Sequence, residues 1–190
     1  DYAKAVEWFT KAAEQGDYVA QNEVGFCYDN GYGVEKNSSK AVEWYTKAAK
    51  QGYSVAQNNL GLSYMFGEGV RKNRKKAFEW FSKAAEQGDS EAQHNLACCY
   101  KYGDGISKNY QKAFELFSKA AEQGIAKSQQ ILAMCYRNGE GVEIDLEKAV
   151  EWFTKAAEQG NMNAQFYLGV CYECGEGIEK KNEKAAEWYI

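Results

Sequence analysis

What the chain lacks narrows its function before any motif is read. No run reaches the roughly 18 consecutive apolar residues that a spanning helix needs, and the chain opens inside a repeat rather than on a signal peptide. Charge of one sign is scarce: 27 acidic and 23 basic residues leave a net charge of −4, spread along the chain. That balance provides no electrostatic footprint for nucleic acid or an anionic membrane, so neither is an expected partner. Histidine occurs once, at His94. No Ser-x-x-Lys motif stands beside a recognisable base and the carboxylates fall mostly on polar faces, so no nucleophile and base arrangement emerges and no enzyme is expected.

What is present is repetition. Near copies of KAFEWFSKAAEQG, residues 76–88, recur with alanines, aromatics and a final glycine in register. The anchoring alanines Ala5, Ala41, Ala77, Ala113, Ala149 and Ala185 stand 36 residues apart at every step. A fixed period of this kind means one supersecondary unit stacked on copies of itself, with neighbouring repeats supplying the core. The expected organisation is a single all-α solenoid over residues 1–190. It begins with a lone second helix (1–16), continues through full repeats at 17–52, 53–88, 89–124 and 125–160, and ends in a truncated repeat at 161–190. Both ends fall within a unit. Trp188 and Tyr189 are therefore expected on an uncapped apolar end, as in a window from a longer array or a chain that self-associates through its repeat ends.

Each unit holds two helical stripes. In helix A, Ala20, Val24, Cys27 and Tyr28 share a face, and the aromatic position reads Tyr28, Tyr64, Tyr100, Tyr136 and Tyr172. Gly25, Gly61 and Gly169 sit inside this helix at a cost of roughly 1 kcal/mol relative to alanine, which close helix packing would offset. A Gly-x-Gly turn follows, from Gly31 and Gly33 to Gly175 and Gly177, where glycine permits positive φ. It lacks the third glycine and the preceding strand of a phosphate cradle. Asn37, Asn73, Asn109 and Asp145 then stand as N-caps of helix B, a pattern broken at Lys181. In helix B, Glu43 with Lys47 and its equivalents form i, i+4 pairs of about 0.2–0.5 kcal/mol each. The main driving force is expected from the ladder Trp8, Trp44, Trp80, Trp152 and Trp188, with Leu116 the departure. Trp80 and Ala84 then face the core, Glu79 and Lys83 face water, and Gly16, Gly52, Gly88, Gly124 and Gly160 end the helix.

The unit AQ-x-x-LG-x-x-Y-x-x-G-x-GV followed by KA-x-x-W-[FY]-x-KAAEQG resembles the Sel-one-like repeat (SLR) family, relatives of the tetratricopeptide repeats, and the resemblance covers the whole chain. It implies a right-handed superhelix with A helices on the concave side. It also implies an adaptor or scaffold role in binding other proteins, without a cofactor. Some secreted, cysteine-rich members carry a disulfide in every repeat and are linked to penicillin binding. Their bridge positions correspond here to alanines such as Ala49 and Ala56, so that analogy fails.

Positions that stay constant among the repeats serve stacking, and positions that vary on helix A are left for a partner. On the face away from Ala20, Val24 and Tyr28 they read Asn22, Phe26, Asp29 and Asn30, then Asn58, Leu62, Met65 and Phe66, then His94, Cys98, Lys101 and Tyr102. The last two sets are Gln130, Met134, Arg137 and Asn138, and Phe166, Val170, Glu173 and Cys174. The second position is apolar throughout, which fits contact with the next A helix. The third and fourth change chemistry freely, as a recognition surface would and as a drifting solvated surface would also. On the first reading the surface binds a protein or peptide, with Met65, Phe66, Lys101, Tyr102 and Arg137 suited to apolar anchors and acidic residues. On the second the array is a structural spacer.

Four of the six cysteines, Cys27, Cys99, Cys135 and Cys171, occupy one repeat position. Equivalent helices lie about 8–10 Å apart, too far for a disulfide, so these read as small packing residues. Cys171 and Cys174 form a CxxC near a helix C-terminus, where the dipole raises a thiol pKa, and His94 is two repeats away, which argues against a redox or zinc module. Unpaired cysteines lean towards a reducing, intracellular compartment.

Overall fold

The computed structural model describes residues 1–189, and among them the secondary structure is eleven α-helices with no strand. The A helices are α2 (Tyr18–Asn30), α4 (Ser54–Phe66), α6 (Ser90–Tyr102), α8 (Ala126–Asn138) and α10 (Met162–Cys174). The B helices are α1 (Tyr2–Glu14), α3 (Ser38–Lys50), α5 (Arg74–Glu86), α7 (Tyr110–Glu122), α9 (Leu146–Glu158) and α11 (Asn182–Trp188). Together they make an all-α solenoid of helix pairs. The chain packs as two compact units, one of Asp1–Ala92 with Asp104–Ile106, the other of Gln93–Gly103 with Ser107–Ile190.

Local chemistry sets the helix ends as expected. The Asn37 side chain accepts from the Lys40 amide at 3.0 Å, and Asn73, Asn109 and Asp145 cap α5, α7 and α9 in the same way. Each such cap is worth about 1 kcal/mol. Lys181 makes no side-chain cap bond. At the other end of α1, Gly16 takes φ 98°. Its amide donates to Ala13 at 3.1 Å while the Asp17 amide donates to Ala12 at 3.2 Å, the double bond of a Schellman end.

The buried ladder is not the tryptophans but the residue after them. Tyr45, Phe81, Phe117 and Phe153 are buried to 2% exposure or less, whereas Trp44, Trp80 and Trp152 are half-buried and Trp8 is 69% exposed. One step along a helix turns the side chain by about 100°, so the second ring of the W-[FY] pair points into the helix pair and the first lies on its flank. There the lysine three residues on covers it: Lys47 Nζ stands 3.6 Å from the Trp44 ring centroid, Lys83 4.4 Å from Trp80 and Lys155 4.1 Å from Trp152. These lysines therefore meet the indole face rather than the glutamate four residues back. The helix-interior glycines make room for the buried ring, because a Cβ on Gly25 would lie 2.7 Å from Tyr45 and one on Gly61 2.5 Å from Phe81.

A polar ladder runs beside this core. The amide nitrogen of Gln51 donates to Gln21 Oε1 at 2.8 Å, and Gln21 in turn donates to the Ala13 carbonyl at 3.0 Å. Gln87 to Gln57, Gln123 to Gln93 and Gln159 to Gln129 repeat the first contact at 2.8, 2.8 and 2.7 Å. The Gln of AEQG and the Gln of the helix A signature are thus partners across the turn, which satisfies a buried amide and a helix-end carbonyl together.

Candidate functional site

The A-helix positions that vary between repeats do not share one environment. Asn22, Asn58 and His94 are buried, at 4%, 7% and 7% exposure. Asn59 donates to Asn22 Oδ1 at 3.0 Å; His94 Nδ1 lies 2.7 Å from Ser128 Oγ, with its ring edge-on to Phe117. Asn22 and His94 therefore belong to repeat seams rather than to a free surface, and Asn58 is buried as they are. The physical reason is that this position follows the buried glutamine on the arc that meets the next A helix. Their equivalents Gln130 and Phe166 are half-buried and exposed respectively. Of the apolar second position, Leu62, Cys98, Met134 and Val170 are half-buried, while Phe26 is exposed.

The third position is where charge matters. Lys101 pairs with Glu140, and Arg137 with Glu176 through Nε at 2.9 Å and Nη2 at 2.8 Å. Burial lowers the Lys101 pKa, but the Glu140 hydrogen bond and the charges of Cys135, Glu140 and Tyr102 together raise it, so the ammonium stays charged and engaged. The two cations that made this face look suited to acidic residues are therefore already neutralised. Their partners are the middle residues of the Gly-x-Gly turns, which sequence reasoning passed over; the signal was the acid at that place in four of five turns, Glu68, Asp104, Glu140 and Glu176. The second glycine of the turn has a packing role, since a Cβ on Gly141 would run into the Tyr110 carbonyl and one on Gly177 into that of Leu146.

In the first unit the same geometry is filled differently. Asp29 and Glu68 line one cavity of 360 Å³ together with Phe26, Tyr45, Leu62 and Phe66. Among the described residues no cation pairs with either carboxylate. Burial pushes the Tyr45 phenol up, and the Asp29 and Glu23 carboxylates push it further, so it stays protonated. The other fourth-position residues lie on the surface: Phe66 is 64% exposed, Tyr102 58%, and Asn30 and Asn138 are exposed too. Met65 is half-buried. Glu173 accepts from the Tyr189 hydroxyl at 2.7 Å, a bond that pushes the phenol up to about 12.

The cysteines are all free thiols, and among the described residues no group of three or more His, Cys, Asp or Glu side chains could hold a metal ion. Burial pushes Cys135 and Cys171 up to about 11. Cys174 is exposed and Cys98 half-buried. With a disulfide reagent at pH 8, Cys174 should react first in the folded chain. Cys27, Cys99, Cys135 and Cys171 should react only after unfolding, as peptide mapping of the labelled sites would record.

A family model described as Sel1 repeat matches residues 1–17, 19–53, 54–89, 90–125, 126–161 and 163–190. Among solved structures, a Sel1 repeat protein from Oxalobacter formigenes is similar at 39% identity and a TM-score of 0.92, over 99% of this chain and 75% of that one. The protein c5321 of uropathogenic Escherichia coli, described as a protective antigen with an SLR fold, is similar at 38% identity and a TM-score of 0.93, over 99% of this chain and 40% of its own. The immunity protein Pa5087 of Pseudomonas aeruginosa shares the fold at 24% identity and a TM-score of 0.61, over 99% of this chain and 67% of that one. No curated protein matches the chain.

Proposed function

The chain belongs to the Sel1 repeat family, and from that premise we propose that it is a non-enzymatic scaffold binding a protein or peptide through the outward positions of its A helices. The observation that carries this reading is the placement of Phe66 and Tyr102. Each is more than half exposed, and each stands at a position where the repeats disagree. Stacking accounts for the constant residues and leaves these rings without a structural task. Aromatic rings held on a rigid helix are what a protein interface uses as anchors, at low cost in side-chain entropy. The catalytic alternative has little to stand on, since the lone histidine is buried and bonded to Ser128.

The test is affinity capture by the full chain and by a Phe66→Ala, Tyr102→Ala variant, followed by a measured Kd for whatever the wild type retains. The variant should bind at least 100-fold more weakly, since an anchor ring contributes about 2 kcal/mol or more. Its helical circular dichroism and Tm should match the wild type. Equal Kd values for the two would remove the A-helix face as the binding surface.

A further inference from the structure

We propose that the cavity between Asp29 and Glu68 is a subsite for a basic side chain of the protein partner, a lysine or arginine whose cation sits between the two carboxylates. The inference deepens the protein-binding reading and rests on it. The repeats themselves show what this geometry accepts. Glu68 follows Asp29 by 39 residues, the separation that joins Lys101 to Glu140 and Arg137 to Glu176. In those copies the chain supplies its own ammonium or guanidinium to the turn carboxylate. In the first unit an acid stands where the cation would be, and two carboxylates face a cavity with no cation of the described chain paired to either.

A second, independent feature marks the same place. Tyr45 is 2% exposed, yet it lines the cavity, and its hydroxyl, which bonds to no other described residue, opens onto that cavity rather than being sealed in the core. At this repeat position α5, α7 and α9 carry Phe81, Phe117 and Phe153, which have no polar atom to satisfy. The one other described tyrosine at the position, Tyr189, donates a hydrogen bond to Glu173, the equivalent of Asp29. Asp29 is shorter by one methylene, and the Tyr45 hydroxyl is left to accept from an incoming N–H donor. Phe26 and Phe66 on the cavity wall, each exposed, provide apolar surface for the methylenes that carry the charge. Two carboxylates and a phenol with apolar walls thus match a long aliphatic stem ending in a cation.

The probe is n-butylammonium, titrated into the full chain and followed by amide chemical shifts, with n-butanol as the uncharged control. A pair of capped pentapeptides, leucines flanking a central lysine or norleucine, gives the peptide arm. Saturable shifts at Asp29, Phe66 and Glu68 with butylammonium but not butanol are expected, lost in an Asp29→Asn, Glu68→Gln variant. The lysine peptide should bind at least tenfold more tightly than the norleucine peptide. Asp29→Lys places an internal ammonium beside Glu68, so it should raise Tm and abolish butylammonium binding. The proposal is overturned if butylammonium shifts no residue of the cavity, if the neutralised variant binds it equally, or if calcium displaces it stoichiometrically from the two carboxylates. Absent butylammonium binding, with capture still lost in the Phe66, Tyr102 variant, sinks the subsite and leaves the binding face. Butylammonium bound while capture is unaffected by that variant sinks the face instead.

Discussion

Phe81→Ala should destabilise the folded chain by about 3–5 kcal/mol, the range for emptying a fully enclosed ring site. Trp80→Ala, although it deletes a larger side chain, should cost only about 1–2 kcal/mol. Phe81 is 1% exposed and lies against Gly61, so its removal leaves a hole that the glycine backbone cannot fill. Trp80 keeps part of its surface in water; its removal costs its partial packing on the neighbouring core and its contact with Lys83, a cation–π interaction worth about 0.5–1 kcal/mol near solvent. Urea unfolding followed by far-UV circular dichroism compares the two without depending on the tryptophan signal. The reverse order of midpoints would place the tryptophans back in the core.

The second large effect is expected at Gly141→Ala. This residue holds φ at 77°, and a Cβ there would collide with the Tyr110 carbonyl at the start of α7. A side chain in left-handed backbone costs about 1–3 kcal/mol, and forcing packed elements apart adds a further 1–3 kcal/mol. Gly124→Ala separates the two contributions, because Gly124 also has positive φ, 93°, but a Cβ there meets nothing within 4 Å. Gly124→Ala should therefore show the conformational cost alone, and Gly141→Ala clearly more. Equal midpoints in urea would mean that the turn does not seat its glycine on the preceding helix B.

The helices and their ends were legible in the chain because their causes are local. An asparagine four residues before the anchoring alanine caps a helix wherever it stands, and Lys181 fails to do so for the same reason. The core was only half legible. Trp80 and Phe81 are adjacent, both aromatic and both repeated, and invariance does not say which of two neighbours points inward; the helix that packs against them decides. The surface was least legible. His94 and Asn22 vary between repeats as recognition residues would, yet their arc faces the next repeat. Lys101 and Arg137 look available until the turn acids 39 residues further on are brought beside them by stacking. That pairing depends on how one repeat sits on another, which no spacing within a unit records. The lack of such a pair at Asp29 becomes visible only against the copies that have it.

The glutamine ladder bears on how such a chain comes to exist. Gln51 meets Gln21 and Gln87 meets Gln57 at the same 30-residue separation, with the same donor and acceptor on each side. That contact lies within a unit and holds the helix A glutamine, whose own amide reaches the helix-end carbonyl of the preceding unit, Gln57 to Ala49 and Gln129 to Ala121. A unit thus brings a donor for the unit before it and a carbonyl acceptor for the unit after it. Tandem duplication of the 36-residue coding segment therefore yields a newcomer already bonded to both neighbours, with no compensating change required. The array can lengthen by recombination alone, and mutation is left to diversify the positions that no neighbour reads.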